Sequence, residues 1–329
     1  MARSYYQAQG LLATWPEIDT KLGILGSGLD ALADRVPQQV GDIYYVSSVD
    51  GDDTYDGKSW EVVSATSLYG PLATIDEAIG KCTANNGDVI IVMPGHTETI
   101  TGTDITADIA GISVIGVGRG GLMPQIKHNH ADAEISIAAA NIRWSGIRHS
   151  ADVTGVKVAI EIEDGIDYCE VSNCRFDVVT TGTDEFLVSV RTNDASNNAL
   201  IKRNFINMGL GGAVAGVSFT KDTDETEVCY NIIIGDYSTA CIEGITTLST
   251  NLLIHHNKLF NGLPGGVGTE PGIDLLTGSG GWIYDNDIMT NLATLAAAVV
   301  ADGAHMFRNY TNEAVTETGT ILGTANADD

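Results

Sequence analysis

Positive charge is scarce in this chain: 17 Lys and Arg stand against 43 Asp and Glu across 329 residues, a formal net charge of -26. Such a surface repels phosphate backbones and anionic lipid headgroups, which argues against nucleic acid as a partner. A polyanionic glycan would need a bridging cation, so a neutral glycan or another protein is easier to accommodate. Cysteine is also sparse. Cys82, Cys169, Cys174, Cys229 and Cys241 form an odd set with no CxxC pair and no histidine at zinc spacing. They read as small buried hydrophobes of a reducing compartment. No window approaches the ~18 apolar residues of a membrane span, so no membrane insertion is expected. MARSYYQAQG lacks the basic-then-apolar pattern of a secretory leader, and no Sec-type export is expected either. Proline is rare, at 7, while glycine reaches 38 and Asn, Thr and Val are abundant. That mixture points to many short strands joined by turns.

What the chain does have is a repeat, and repeats are sought before local structure. In LLIHHNKLF (252–260), Ile254 lies three residues before Asn257 and Leu259 two after it. IKRNFI, VCYNII, IYDNDI and MFRNYT set Asn204, Asn231, Asn286 and Asn309 in the same frame. Upstream, VSNCRF places Cys174 at that position and IRWSGI places Ser145 there. These positions recur every 23 to 30 residues, a spread natural for strands whose connecting loops vary. Each period also carries an alternating segment, such as VAIEIE, FLVSVR, GVSFT, CIEGI and GIDLL, whose apolar residues must share one interior face. One period cannot bury that face alone. Stacked coils can, with each strand pairing in parallel with its equivalent one period away. The polar residue at the bend then forms a ladder bonded to itself or to the turn backbone. Asn257 is therefore a ladder residue, and at least one of His255 and His256 faces solvent.

This pattern resembles the right-handed parallel β-helix, or pectate-lyase-like, superfamily over roughly residues 43 to 312. The front end is similar to the opening of many such proteins: IYYVSSVDGDDTYDGKSW, then PLATIDEAI, then NGDVIIVMPGHTETI, giving a strand, a Gly/Asp-rich loop, a capping helix and the first coil. GHTETI followed by ISVIGVGRG resembles in particular β-helix proteins encoded by tailed bacteriophages. The resemblance implies an all-β solenoid of roughly nine coils, on the order of 40 Å long at ~4.8 Å per coil. The helix has its own support in the T-x-x-E capping box of Thr74 and Glu77 and in the stripe Ile75, Ala78, Ile79, Cys82. Laid over the first coil, it would cover an otherwise unpaired end.

Residues 1–41 stand outside the repeat. Ile18, Leu22, Leu25, Leu29, Leu32 and Val36 recur at coiled-coil steps after Pro16. Self-association, as a trimer, is one reading. An amphipathic helix docked on the rod or on a neighbouring protein is the other, since Gly23, Gly26 and Gly28 each weaken a helix by roughly 1 kcal/mol. In both, 1–41 is the attachment segment, 42–312 the solenoid with its cap, and 313–329 a polar tail.

Candidate chemistry is thin. Lyases of the superfamily use clustered Asp residues for calcium and a basic residue for proton removal, and the chain does not reproduce that set. In the stacked register, Glu161, Ser189, Ser218, Glu243 and Asp274 are expected to form one outward row. Glu243 and Asp274 would then lie about 5 Å apart on adjacent coils, near the spacing of a retaining glycosidase pair. Carboxylates kept for solubility are the plainer explanation. Asp50, Asp52 and Asp56 alternate as calcium ligands do, but Tyr55 stands where an EF-hand needs glycine, so a self-bonded turn competes with a structural calcium site. His96 after the Pro-Gly turn is positional, and GVGRGG lacks the following helix of a phosphate loop. Tyr44, Trp60, Tyr69 and Tyr237 are aromatics that could meet sugars from the surface.

These readings favour a non-enzymatic structural component of a tailed-phage virion: a capsid decoration, head fibre or tail-associated rod, anchored through its N-terminal segment to other virion proteins. The alternatives are a tailspike-type depolymerase acting on host surface glycan and a carbohydrate-binding β-helix without catalysis.

Overall fold

The computed structural model describes residues 41–62, 68–178, 184–210, 212–262, 270–290 and 297–312. The heptad-like positions Ile18, Leu22, Leu25, Leu29, Leu32 and Val36 and the tail 313–329 lie outside the described residues.

Among the described residues, twenty-seven short strands form three parallel sheets that wind around one core. Sheet I has ten strands, from Ile43–Val46 to Gly303–Phe307; sheet II has nine, from Thr97–Ile100 to Tyr310–Thr311; sheet III has eight, from Ile105–Ala107 to Val299–Val300. Every named strand pairing is parallel to the equivalent strand one coil away. The chain is thus a parallel β-solenoid of about eight complete turns followed by a partial one. Alternation along each strand sends one set of side chains inward, including Val114, Trp144, Val171, Ile201, Val228, Ile254 and Ile283, all at most 1% exposed.

Helix α1 (Ile75–Lys81) buries Ile75, Ala78 and Ile79 against the first coil. Thr74 Oγ1 accepts from Glu77 N, as the capping box requires. The reciprocal half is replaced: Thr74 N donates to Asp53 Oδ1, and Glu77 turns outward to Lys81.

Between sheets I and II the chain bends through one left-handed residue. Asn173, Arg203, Tyr230, His256, Asp285 and Arg308 all have φ of 53 to 58°. The residue after each is the ladder position. Asn204 Oδ1 accepts from Cys174 N, and the same bond recurs from Asn204 N to Asn231, Asn231 N to Asn257, Asn257 N to Asn286 and Asn286 N to Asn309. Each Asn Nδ2 also donates to a sheet I carbonyl one coil back, such as Val171 O, Ile201 O or Val228 O. Non-glycine residues in the left-handed region cost of order 1 kcal/mol or more each. The ladder fixes the bend and offsets that cost.

Ser145 does not belong to this ladder. It pairs with Ser172, two residues before Cys174, and its Oγ accepts from Ser172 Oγ at 3.1 Å. The bend in that coil is Gly146, at φ 77°, and the ladder position is Ile147. Glycine is required there because a Cβ would lie 2.5 Å from Gly116 O. The slip arises because Ile142 and Ile147 imitate the apolar frame that Trp144 and His149 actually fill.

Candidate functional site

The outward face of sheet III carries the expected carboxylate row with one correction. Register places Ser136, Glu161, Arg191, Ser218, Glu243 and Asp274 side by side. Ser189 is two residues away from it. It is fully buried, and its Oγ has no hydrogen-bond partner among the described residues. Arg191 takes its place in the row and donates from Nε to Glu161 Oε1 at 2.9 Å.

Glu243 and Asp274 are direct neighbours across the sheet, about 4.8 Å apart at the backbone. Glu243 is only 7% exposed, and its Oε1 accepts from Ser218 Oγ at 2.7 Å. Burial pushes the Glu243 carboxyl above its usual range. Burial, then the charges of Glu243 and Glu270, push Asp274 up to about 6. At the other end of the row, Glu134, Glu161 and Glu163 bring carboxylate oxygens within 4.8 Å of one another. Burial and the neighbouring Glu161 raise Glu134. Here hydrogen bonds from Asn193 Nδ2 to Glu161 and from Ser136 Oγ to Glu163 occupy the oxygens.

The calcium-like aspartates are not brought together. Asp52 Oδ1 accepts from Thr54 N and Oγ1, and these bonds hold its carboxyl below the usual range. Asp56 Oδ1 accepts from Lys58 N, and among the described residues Asp50, Asp52 and Asp56 do not form a three-ligand cluster. His96 is buried against Glu98, whose Oε2 accepts from both His96 Nε2–H, in that tautomer, and Ile75 N. Glu98 thereby anchors the start of α1. Of the four aromatics, Trp60 and Tyr69 are exposed, while Tyr44 and Tyr237 are buried with their hydroxyls on Lys81 O and Ile234 O. Gly120 and Gly121 of the GVGRGG loop and Met123 just after it line a cavity of about 280 Å³ with Arg148 and Arg175. Both arginines are committed to Asp177 Oδ2.

Sequence spacing missed the outward face of sheet I. Two rows run along it. One reads Arg143, Glu170, Leu200, Glu227, Leu253, Trp282 and His305; the other reads Ser145, Ser172, Lys202, Cys229, His255, Tyr284 and Phe307. The early coils are polar and ion-paired, with Arg143 and Lys202 on Glu170. The late coils are aromatic: His255 stacks on Tyr284 at 4.8 Å and Tyr284 on Phe307 at 4.9 Å, both within 10° of parallel. Strand spacing imposes this face-to-face order, which isolated rings disfavour. At the junction, Glu227, Cys229 and His255 place an oxygen, a sulfur and a nitrogen within 4.8 Å of one another. Burial and the neighbouring Glu227 push the Cys229 thiol up to about 12, so by itself it is no thiolate nucleophile. The signal was present in the repeat: Cys229 and His255 each stand two residues before a ladder asparagine.

No protein-family model and no curated protein sequence matches the chain. Solved structures do. An alginate lyase from Paenibacillus sp. str. FPU-7 covers 75% of this chain and 91% of its own at 12% identity and a TM-score of 0.42. A GH136 lacto-N-biosidase from Eubacterium ramulus covers 97% of this chain and 80% of its own at 11% identity and 0.42. A tailspike protein of E. coli bacteriophage HK620, in complex with a pentasaccharide, covers 72% of this chain and 53% of its own at 13% identity and 0.30. The chain folds as a parallel β-helix of three sheets. At these identities the likeness is one of fold alone. Among the described residues no helix is long and apolar enough to cross a membrane.

Proposed function

We propose that this chain is a non-enzymatic structural rod of a tailed-phage particle, fixed to other virion proteins through its N-terminal segment. The observation that carries the structural part is where the outward polar groups go. The sheet III row and the early coils of sheet I spend their charges on neighbouring coils, as in Arg191–Glu161, Lys202–Glu170 and Ser218–Glu243. Such contacts stiffen a stack and leave little to grip a substrate. Glu243, the partner that catalysis would need, is 7% exposed and held by Ser218. The particle assignment is supported by the resemblance of GHTETI and ISVIGVGRG to phage-encoded β-helices. Electron microscopy of purified particles tests it: density for the rod on head or tail is the expected result, and its absence from particles overturns the reading.

One observation favours a glycan-cleaving second reading. Asp274 is held up to about 6 beside Glu243, so an acid and a potential nucleophile share one row. Under the structural reading, neither Glu243→Gln nor Asp274→Asn changes the release of reducing ends from host polysaccharide. A loss of cleavage by a hundredfold or more in both variants decides for the enzyme.

A further inference from the structure

We propose that Glu227, Cys229 and His255 form a binding site for a zinc-class divalent metal ion on the outward face of sheet I. The site is independent of the particle assignment. Glu227 and Cys229 lie two apart on one strand and so project to the same side, and register sets His255 directly opposite Cys229. Their donor atoms lie within 4.8 Å of one another. In a tetrahedral zinc site such atoms stand roughly 3.3 to 3.8 Å apart, so rotamer adjustment closes the set. A thiolate, an imidazole and a carboxylate select zinc-type ions over calcium or magnesium, which take oxygen ligands.

The surroundings of His255 distinguish the site from an ordinary surface cluster. Though it faces outward, His255 is 7% exposed and Cys229 2%. Its ring is stacked on Tyr284 at 4.8 Å and flanked by the edge of Tyr230. Its Nδ1 lies 2.8 Å from Nδ1 of His256, and its Nε2 lies 3.0 Å from Glu227 Oε1. His256 faces the same side because it is the left-handed bend residue, φ 54°.

The two imidazoles form a chain with two hydrogen arrangements. In one, His256 Nδ1–H donates to His255 Nδ1 and His255 Nε2–H donates to Glu227. In the other, His255 Nδ1–H donates to His256 Nδ1, which frees the Nε2 lone pair beside Glu227 and Cys229. The hydrogen then sits on His256 Nε2, whose side chain is 40% exposed and which lies 3.7 Å from Asp285 Oδ2. The second arrangement is that of a metal-ligating histidine whose distal nitrogen is held by an oriented acceptor. Metal binding thus keeps the Nδ1 contact and leaves the imidazole pair with its two hydrogens, one of them now on the exposed His256 Nε2; the proton released to solvent is that of the Cys229 thiol, which binds as thiolate. Three protein ligands leave the fourth tetrahedral position open to water or to a ligand oxygen.

The test is titration of the full chain, under reducing conditions, with cobalt(II) as the spectroscopic stand-in for zinc. The expected result is one ion per chain with a thiolate-to-cobalt charge-transfer band, bleached by zinc. Cys229→Ser abolishes the band, Glu227→Gln weakens binding at least tenfold, and His256→Ala weakens it by about 10 to 100-fold. Glu227 is only partly buried, so Glu227→Gln keeps the test informative where Cys229→Ser disturbs folding. No charge-transfer band in the unaltered chain overturns the site, as does a band that survives Cys229→Ser or an affinity untouched by Glu227→Gln.

Discussion

At the scale of single residues, the ladder asparagines carry more than their volume. Asn231 accepts through Oδ1 from both Asn204 N and Asn204 Nδ2, and gives Nδ2 to Ile201 O and Asn257 Oδ1. Asn231→Ala strands a buried amide and a buried carbonyl, and costs about 2 to 4 kcal/mol by chemical denaturation. An exposed polar substitution, such as Lys258→Gln, is the comparison and stays within about 0.5 kcal/mol. The core histidines make a second residue-scale prediction. Trp144 Nε1 donates to His149 Nε2, so His149 Nδ1–H donates to His128 Nε2 and His128 Nδ1–H to Ala133 O. Both rings are therefore neutral. Burial lowers His128 from 6.5 to about 4, and burial with the neighbouring His128 lowers His149 well below 6.5. The unfolded chain takes up these protons below pH 6.5 while the fold refuses them. Their stabilisation is complete above pH 6.5 and is lost as pH falls toward 4, by roughly 3 kcal/mol for His128. Urea midpoints measured from pH 7 to 4.5 should fall steadily; a flat profile contradicts the assignment.

Among strands, the row on sheet III supplies the opposite sign. Asp274 ionises at 3.8 in the unfolded chain and at about 6 in the fold, so its charge opposes folding above pH 6 and ceases to below pH 4. Asp274→Asn is expected to stabilise the chain at pH 7 by about 1 to 2 kcal/mol after discounting for solvent, and to be neutral near pH 4. That variant also sharpens the histidine limb, since it removes one of the compensating carboxyls, beside Glu134 and Glu243. The strands themselves were legible in the sequence because alternation and the Asn frame mark both face and period. Partner identity was less so. A shift of two residues preserves the face, so Ser189 and Ser145 fitted the pattern as well as Arg191 and Ile147 did. Only hydrogen-bonded register separates them. The Glu227, Cys229 and His255 cluster was hidden for a related reason. Its members are distant in sequence, and only the coil length makes them neighbours.

For the whole molecule, the coil-to-coil order of the pairing matters most. Among the described residues each strand pairs only with its equivalents on the coils beside it, so nearest-neighbour terms dominate the solenoid's stability. If the N-terminal segment is an attachment device and not part of the core, a chain beginning at Gly41 keeps its β-rich circular dichroism and its melting midpoint within a few degrees. It loses incorporation into particles. A collapse of the β signal on that truncation contradicts the anchor. The expectation of this division rests on the onset of the repeat near Ile43. Which partner residues 1–41 would take was not legible, because a short run of heptad-spaced leucines serves a trimer and a docked helix equally well.

The strands of sheet III are longest in the middle of the stack, seven residues in Val156–Ile162 and Phe186–Thr192, and fall to three in Ile105–Ala107 and Ile135–Ile137 at one end and to three in Ile273–Leu275 and two in Val299–Val300 at the other. A stack whose rungs dwindle in this way peels from its ends inward, and helix α1 covers only the first coil. Under axial pulling or mild denaturant, amide protons near Val299 should exchange with deuterium first, and those near Ile160 should be released last.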